Sequence, residues 1–178
     1  MNPLDLEAML REMNGQVAQR LQLPDNETVV LDVGCGYGAV SRQLCARFPA
    51  AKFHGATRSS NEISTGEKMN REAGLSDRIP LCQADFQQMP FADNFADAAF
   101  AIESACYAEG ADKRRLLEEL SRVLKPGSRL VVVDGFRKQG QPLPVFLDKI
   151  YRRCLAAWGL GELADVPAFI LKMEQVGF

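Results

Sequence analysis

The chain has 178 residues, 47% of them hydrophobic and 25% charged, with a formal net charge of −2. That is enough for one domain with a real core and too little for two, and the charge excludes the global basic field that drives non-specific nucleic-acid binding. No apolar run reaches membrane-spanning length, the start MNPLDLEAML does not read as a signal peptide, and the five cysteines include no C-x-x-C pair, so a cytoplasmic protein with reduced thiols and no metal is expected.

Apolar spacing predicts a helix over 4–21, interrupted by Gly15, then a short unbroken apolar strand over 28–33, as expected for burial on both faces. A helix over 39–48 stops before Pro49, a second strand covers 52–57, and a helix over 60–74 closes on a glycine. A third strand over 79–85 carries Pro80 near its start, a fourth covers 95–102, and an amphipathic helix over 111–124 ends in KPG. A fifth strand covers 128–136, and helices over 146–158 and 166–176 follow. Strands alternating with helices of this kind require crossovers and a parallel sheet. The expected fold is a doubly wound α/β domain with a mostly parallel sheet.

Between the first strand and its helix lies LDVGCGYG, residues 31–38, with glycines at 34, 36 and 38. Glycines there can take positive φ and bring backbone N–H groups close to a ligand, and the following helix adds a modest positive potential. The spacing is not that of the dinucleotide fingerprint G-x-G-x-x-G, because Ala39 stands where its last glycine would be. Asp32, two residues before the first glycine, would repel a pyrophosphate but suit ammonium and sulfonium charges. The loop therefore favours S-adenosylmethionine over a nicotinamide dinucleotide.

With these residues the sequence resembles the class I S-adenosylmethionine-dependent methyltransferases. The resemblance is carried by LDVGCGYG, by ADFQQMPFADNFADAAFAIESACYA (84–108) and by LLEELSRVLKPGSRLVVVDGF (116–136). IESACY and GATRSS are most similar to the branch that holds sterol and tocopherol C-methyltransferases. The resemblance implies a Rossmann-like sheet in the order 3-2-1-4-5 and a single domain over 1–178. Within it, 1–24 would be an N-terminal helix, 28–136 the cofactor-binding core and 137–178 a helical acceptor-side segment. The family sheet usually has two more strands after a helix ending in GF; this sequence stops at MEQVGF, so the resemblance implies a missing terminal hairpin. Strand 128–136 would then be an open edge, suited to pairing in a homodimer.

By position, the resemblance assigns the methionine part of the cofactor to Asp32, Gly34, Cys35 and Gly36, and the adenine to Asp85 and Phe86. For Asp85 a helix N-cap is the competing role. Ile102 and Glu103 would border the methyl-transfer centre, with Tyr107 beside it. Glu103 could steady a sulfonium or carbocation, and the Tyr107 ring could add cation–π attraction; the alternatives are a strand cap and plain packing. Most of the family places an acid at the end of the second strand for the ribose hydroxyls, whereas this sequence has Thr57. Glu62, one helical turn on, could do that work or could be a solvated helix-face residue. His54, the only histidine, is expected to be structural.

The implied activity is methyl transfer from S-adenosylmethionine to the carbon or oxygen of a small, lipophilic acceptor, without nucleic acid. The alternative is an S-adenosylmethionine-binding domain without turnover, acting as a regulatory partner.

Overall fold

A computed structural model describes residues 5–138 and 142–178. Helix α1 (Leu6–Leu21) opens on Asp5, whose carboxylate accepts the Ala8 N–H at 3.0 Å. The expected start of this helix at residue 4 lies outside the described residues. The chain then runs through β1 (Thr28–Val33), α2 (Ala39–Arg47), β2 (Ala51–Thr57), α3 (Ser60–Glu72), β3 (Leu81–Gln83) and β4 (Ala96–Ile102). A 3-10 turn (Ala105–Tyr107) leads to α4 (Arg114–Val123), β5 (Leu124–Val133), β6 (Phe136–Arg137), α5 (Val145–Trp158), β7 (Ala164–Asp165) and α6 (Val166–Gln175).

The main sheet has the order β3-β2-β1-β4-β5, with parallel pairing along Thr28↔Ala51 to Val33↔Ala56 and along Val30↔Ala98 to Asp32↔Phe100. The expected fold class and strand order are both present. The period-2 alternation of strands sends neighbouring side chains to opposite faces, so the sheet separates two cores. Val30, Phe53, Ala98 and Phe100 pack with Val17, Leu21 and Leu44 of α1 and α2. Leu31, Val33, Ala99 and Ala101 pack with Leu116, Leu120 and Val123 of α4. β4 thus presents Ala99 and Ala101 to one core and Ala98 and Phe100 to the other. Each fully buried large side chain contributes roughly 1.5–3 kcal/mol relative to exposure.

Four boundaries differ clearly from expectation, each for a local reason. The third strand is confined to Leu81–Gln83: Pro80 has no N–H to give, and Asp85 turns the chain into an isolated bridge with Gln88. Helix α4 starts at Arg114 rather than 111, because Lys113 takes φ +52° and so stands outside the helix. The KPG segment lies within β5 instead of ending a helix: Ala96 pairs with Leu124 but Ala98 with Arg129, so the intervening residues bulge out. The same strand stops at Val133, since the Asp134 carboxylate captures the N–H groups of Gly135 (2.7 Å) and Cys106 (2.9 Å). Phe136 and Arg137 instead pair with Ala164 and Asp165 of β7.

Candidate active site

The carboxyl ends of β1, β2 and β4 meet above the glycine loop. Gly34, Gly36 and Gly38 all have positive φ (+80°, +51° and +74°). The loop does not offer its first amides to a ligand as the sequence suggested: the N–H groups of Gly34 and Cys35 both donate to the Ala56 carbonyl, at 2.9 and 3.0 Å. Nor does a ligand account for the missing side chain at Gly34. A Cβ there would stand 2.3 Å from Cβ of Ser104, whose hydroxyl donates to the Val33 carbonyl. The open position is Gly36, where a Cβ would meet nothing within 4 Å.

Asp32, the last residue but one of β1, is almost fully buried. Burial pushes its carboxyl up to about 7, against the Ser41 hydroxyl, which donates to it at 2.6 Å, and the positive charge of Arg42. The Arg42 guanidinium is itself engaged elsewhere, donating to the Tyr37 carbonyl (2.6 Å) and to Asn70 (2.9 Å). Asp32 is thus a buried acid whose hydrogen-bond donor is neutral, an environment that a cationic ligand would stabilise.

At the end of β2 the Thr57 hydroxyl donates to Glu62 at 2.5 Å. The geometry explains how a glutamate on a helix reaches a strand end. Ser59 caps α3 by accepting the Glu62 N–H at 3.3 Å, a Ser-x-x-Glu arrangement in which the glutamate usually reaches back to the cap amide. Here that amide donates to Thr57 Oγ1 instead (3.3 Å), and the Glu62 carboxylate takes the threonine hydroxyl. Glu62 is half-buried, and its charge and that of Asp32 both act on the Cys35 thiol, which burial pushes far above its ordinary value. Asp32, the glycine loop, Thr57 and Glu62 therefore form one cleft, with Cys35 packed beneath it against Gly55.

Asp85 and Phe86 are placed differently. One Asp85 oxygen accepts the Gln87 N–H at 2.9 Å, and the residue borders a polar groove with Glu109, Arg115 and Arg122. Phe86 is buried in the α4-side core. Ile102 ends β4, half-buried, and Glu103 follows with φ +50°, a strained conformation for a residue with a side chain. Its N–H donates to the Val133 carbonyl at 2.8 Å, which holds it at the rim.

Glu103 and Tyr107 open onto a second space, a cavity of about 350 Å³ closed by α5 and the residues after it. Tyr151, Leu155, Trp158 and Leu163 give it an apolar, aromatic lining, and Cys106 and Asp134 face it from below. Behind this wall Lys113 is fully buried, its ammonium donating to the carbonyls of Ala108 (2.7 Å), Glu162 (2.8 Å) and Cys106 (3.3 Å). It ties the turn after β4 to the α5–α6 connection. Sequence reasoning missed Asp134, Lys113, Ser104 and Ser41. Asp134 carried a usable signal, an acid directly after an apolar strand; the other three are recognisable only through their partners.

His54 makes edge contacts with Phe91 and Phe95, at centroid distances of 5.9 and 5.0 Å, and burial lowers its pKa. Among the described residues no group of three or more His, Cys, Asp or Glu could hold a metal ion, and no helix is long and apolar enough to cross a membrane.

The chemistry of the cleft fits S-adenosylmethionine. A buried carboxylate awaits positive charge, a carboxylate held by a threonine can accept from ribose hydroxyls, and open space lies above Gly36. Comparison with known proteins agrees. The chain is 40% identical over 129 residues to the sterol 4-C-methyltransferase strm-1 of Caenorhabditis elegans, covering 72% of this chain and 37% of that protein. Its fold matches geranyl diphosphate C-methyltransferase from Streptomyces coelicolor A3(2) with a TM-score of 0.85 at 22% identity, over 96% of this chain and 61% of that one. It also matches the 4+2 cyclase SpnF with a TM-score of 0.75 at 29% identity, over 93% of this chain and 57% of that one. The chain spans less than half the length of the curated relatives it matches. A family model described as a methyltransferase domain matches residues 30–127, from the first strand through the end of KPG. The match spans the glycine loop, the acid before it and four of the five strands of the main sheet, and the chain belongs to the methyltransferase domain family.

Proposed function

We propose that this chain is an S-adenosylmethionine-dependent methyltransferase acting on a small, lipophilic acceptor. The observation that carries the reading is adjacency: Glu103, at the end of β4, follows the strand that pairs with Asp32 and also lines the apolar cavity. Cofactor cleft and acceptor space therefore share a border.

When bound, the cofactor supplies a methyl group already made electrophilic by its sulfonium. The protein's part is to hold and align. Asp32 would take the ammonium, Gly34, Cys35 and Gly36 would shape the floor, and Glu62 with Thr57 would grip the ribose. Asp85 would border the adenine, with Phe86 packed in the core behind it, and Ile102 the transfer centre. Glu103 and Tyr107 would face the acceptor, excluding water and stabilising positive charge. Alignment of this kind is worth up to roughly 7–11 kcal/mol.

The net charge of −2 supports a small-molecule acceptor over nucleic acid, and the free cysteines support a cytoplasmic setting. The place of β5 as an outer strand of the described sheet supports pairing with a second copy, which light scattering after gel filtration would detect. Calorimetric titration with S-adenosylmethionine and S-adenosylhomocysteine, with NAD as control, tests the central claim. Micromolar binding of either sulfur compound is expected, and binding of NAD alone would overturn the reading.

A second reading has its own support. The solved structure at 29% identity is described as a cyclase, so a domain that binds the cofactor and does something other than methyl transfer is the alternative. Cofactor binding without release of S-adenosylhomocysteine in the presence of acceptors would favour it.

A further inference from the structure

The cavity's charge narrows the acceptor further. In the β4–β5 pairing the last partners are Ile102 and Val133, so Glu103 and Asp134 are the next residues on adjacent strands. Both line the apolar cavity. Asp134 is fixed there: its two oxygens accept the N–H groups of Cys106 and Gly135, at 2.9 and 2.7 Å, which sets the carboxylate's orientation.

Two neighbouring carboxylates in an apolar space repel each other unless a positive charge is near. Among the described residues no lysine or arginine lines this cavity. The buried Lys113 ammonium is felt by Asp134, but it lies behind the wall with its donors committed to three backbone carbonyls. Arg137 and Arg152 line a separate polar groove that shares Tyr151 and Leu155 with the cavity, and Arg152 pairs with Asp148 at 2.7 Å. The Arg137 guanidinium lies over the Tyr151 ring, 5.7 Å from its centroid, so the rings left to a ligand are those of Tyr107 and Trp158, whose faces also attract cations. Anionic acceptors are thus disfavoured twice, and a cationic centre on an apolar body is favoured by both kinds of group.

We propose that the acceptor is a lipophilic amine, methylated on nitrogen, and that Asp134 with Glu103 recognises its charged head. The proposal rests on the methyltransferase reading and deepens it. An amine arriving as ammonium gives one proton to the Asp134 carboxylate, which frees its lone pair. The nitrogen then forms a bond to the methyl carbon as the carbon–sulfur bond breaks. Sulfur keeps that electron pair and becomes a neutral thioether, and the positive charge passes to nitrogen, still facing Glu103.

The sole tryptophan of the chain, Trp158, borders this cavity, so its fluorescence reports occupancy without cofactor or turnover. The test is a fluorescence titration at pH 7 with octylamine, 1-octanol and octanoate. Octylamine should bind about tenfold tighter than octanol, the size expected for a charged head among rings and carboxylates, and octanoate more weakly than either. In Asp134→Asn the ratio of amine to alcohol affinity should fall toward one. Equal affinity for amine and alcohol, or a preference for octanoate, would overturn the proposal, as would an unchanged ratio in Asp134→Asn. Should that variant fail to fold, Glu103→Gln, altered at an exposed position, carries the same test: a reduced ratio supports the proposal and an unchanged one overturns it. Because no cofactor is present, failure to bind S-adenosylmethionine in the separate titration would count against the methyltransferase reading and leave this ratio as an independent result.

Discussion

The two halves of the candidate site are built by different means. In the cofactor cleft, backbone and buried polar groups are locked to one another. The Ala56 carbonyl holds two loop amides, Ser104 occupies the space a side chain at Gly34 would need, and Ser41 holds Asp32. Across the border, the acceptor cavity is walled by α5, whose one buried residue is Leu155. Val145, Phe146, Ile150 and Trp158 on that helix are exposed. A shape demanded of the backbone leaves little freedom in sequence, whereas an apolar wall can be made from many residues. The first half can therefore remain constant while the second is varied to take different acceptors.

That contrast can be broken most severely at Gly34. Gly34→Ala forces a Cβ into Ser104 at a φ of +80° and should destabilise the fold by about 3 kcal/mol, abolishing cofactor binding; chemical denaturation measures the first and calorimetry the second. Asp32→Asn removes a buried charge and should lower affinity for S-adenosylmethionine about 100-fold, equivalent to about 2.7 kcal/mol. The same change should raise the melting temperature at pH 8, because the folded protein no longer buries an anion.

Lys113→Met acts on the other half alone. It leaves three carbonyls without their donor and should cost about 2 kcal/mol, weakening octanol binding in the Trp158 assay while cofactor affinity stays constant. Glu62→Ala should lower cofactor affinity about tenfold, the worth of one charge-assisted hydrogen-bond site, without changing octanol binding.

The smallest effect is in pH. The folded-state pKa of Asp32 is raised to about 7, so between about pH 4 and pH 7 the folded chain holds a proton the unfolded chain has lost. Its contribution to stability therefore falls as pH rises through that window. A cationic ligand reverses the preference: affinity should climb as pH passes 7, and calorimetry in buffers of different ionisation enthalpy should show up to one proton released on binding.

The parts of the fold set by local rules were legible. The unbroken apolar run at 28–33 became the central strand, alternating helices and strands dictated a parallel sheet, and the family resemblance implied the order found. What escaped was set by contacts between distant segments. Gly66, in the middle of α3, has no explanation along the chain. A Cβ there would lie 2.6 Å from Leu81 and 2.9 Å from the Tyr37 carbonyl, so its absence lets α3 press on the glycine loop. Lys113 fell within the amphipathic helix expected over 111–124, yet it is fully buried, and three carbonyls from two other segments converge on it. Of the site residues, Glu62 was legible as a candidate to stand in for the acid missing at Thr57, but its hydrogen bond to that threonine was not. Asp134 carried a local signal, an acid directly after an apolar strand, but its place beside Glu103 depended on the pairing of β5 with β4.

That Thr57–Glu62 pair has a dynamic consequence. The group placed to hold the ribose belongs to the first turn of a helix, the part of a helix most prone to fray, and the serine that caps this turn lends its own amide to the same threonine. Ligand capture and helix initiation then draw on one small network. Occupancy of the cleft should slow hydrogen exchange at the amides of Ser59 and Glu62 well beyond the residues it touches, so that α3 begins more firmly when the site is full.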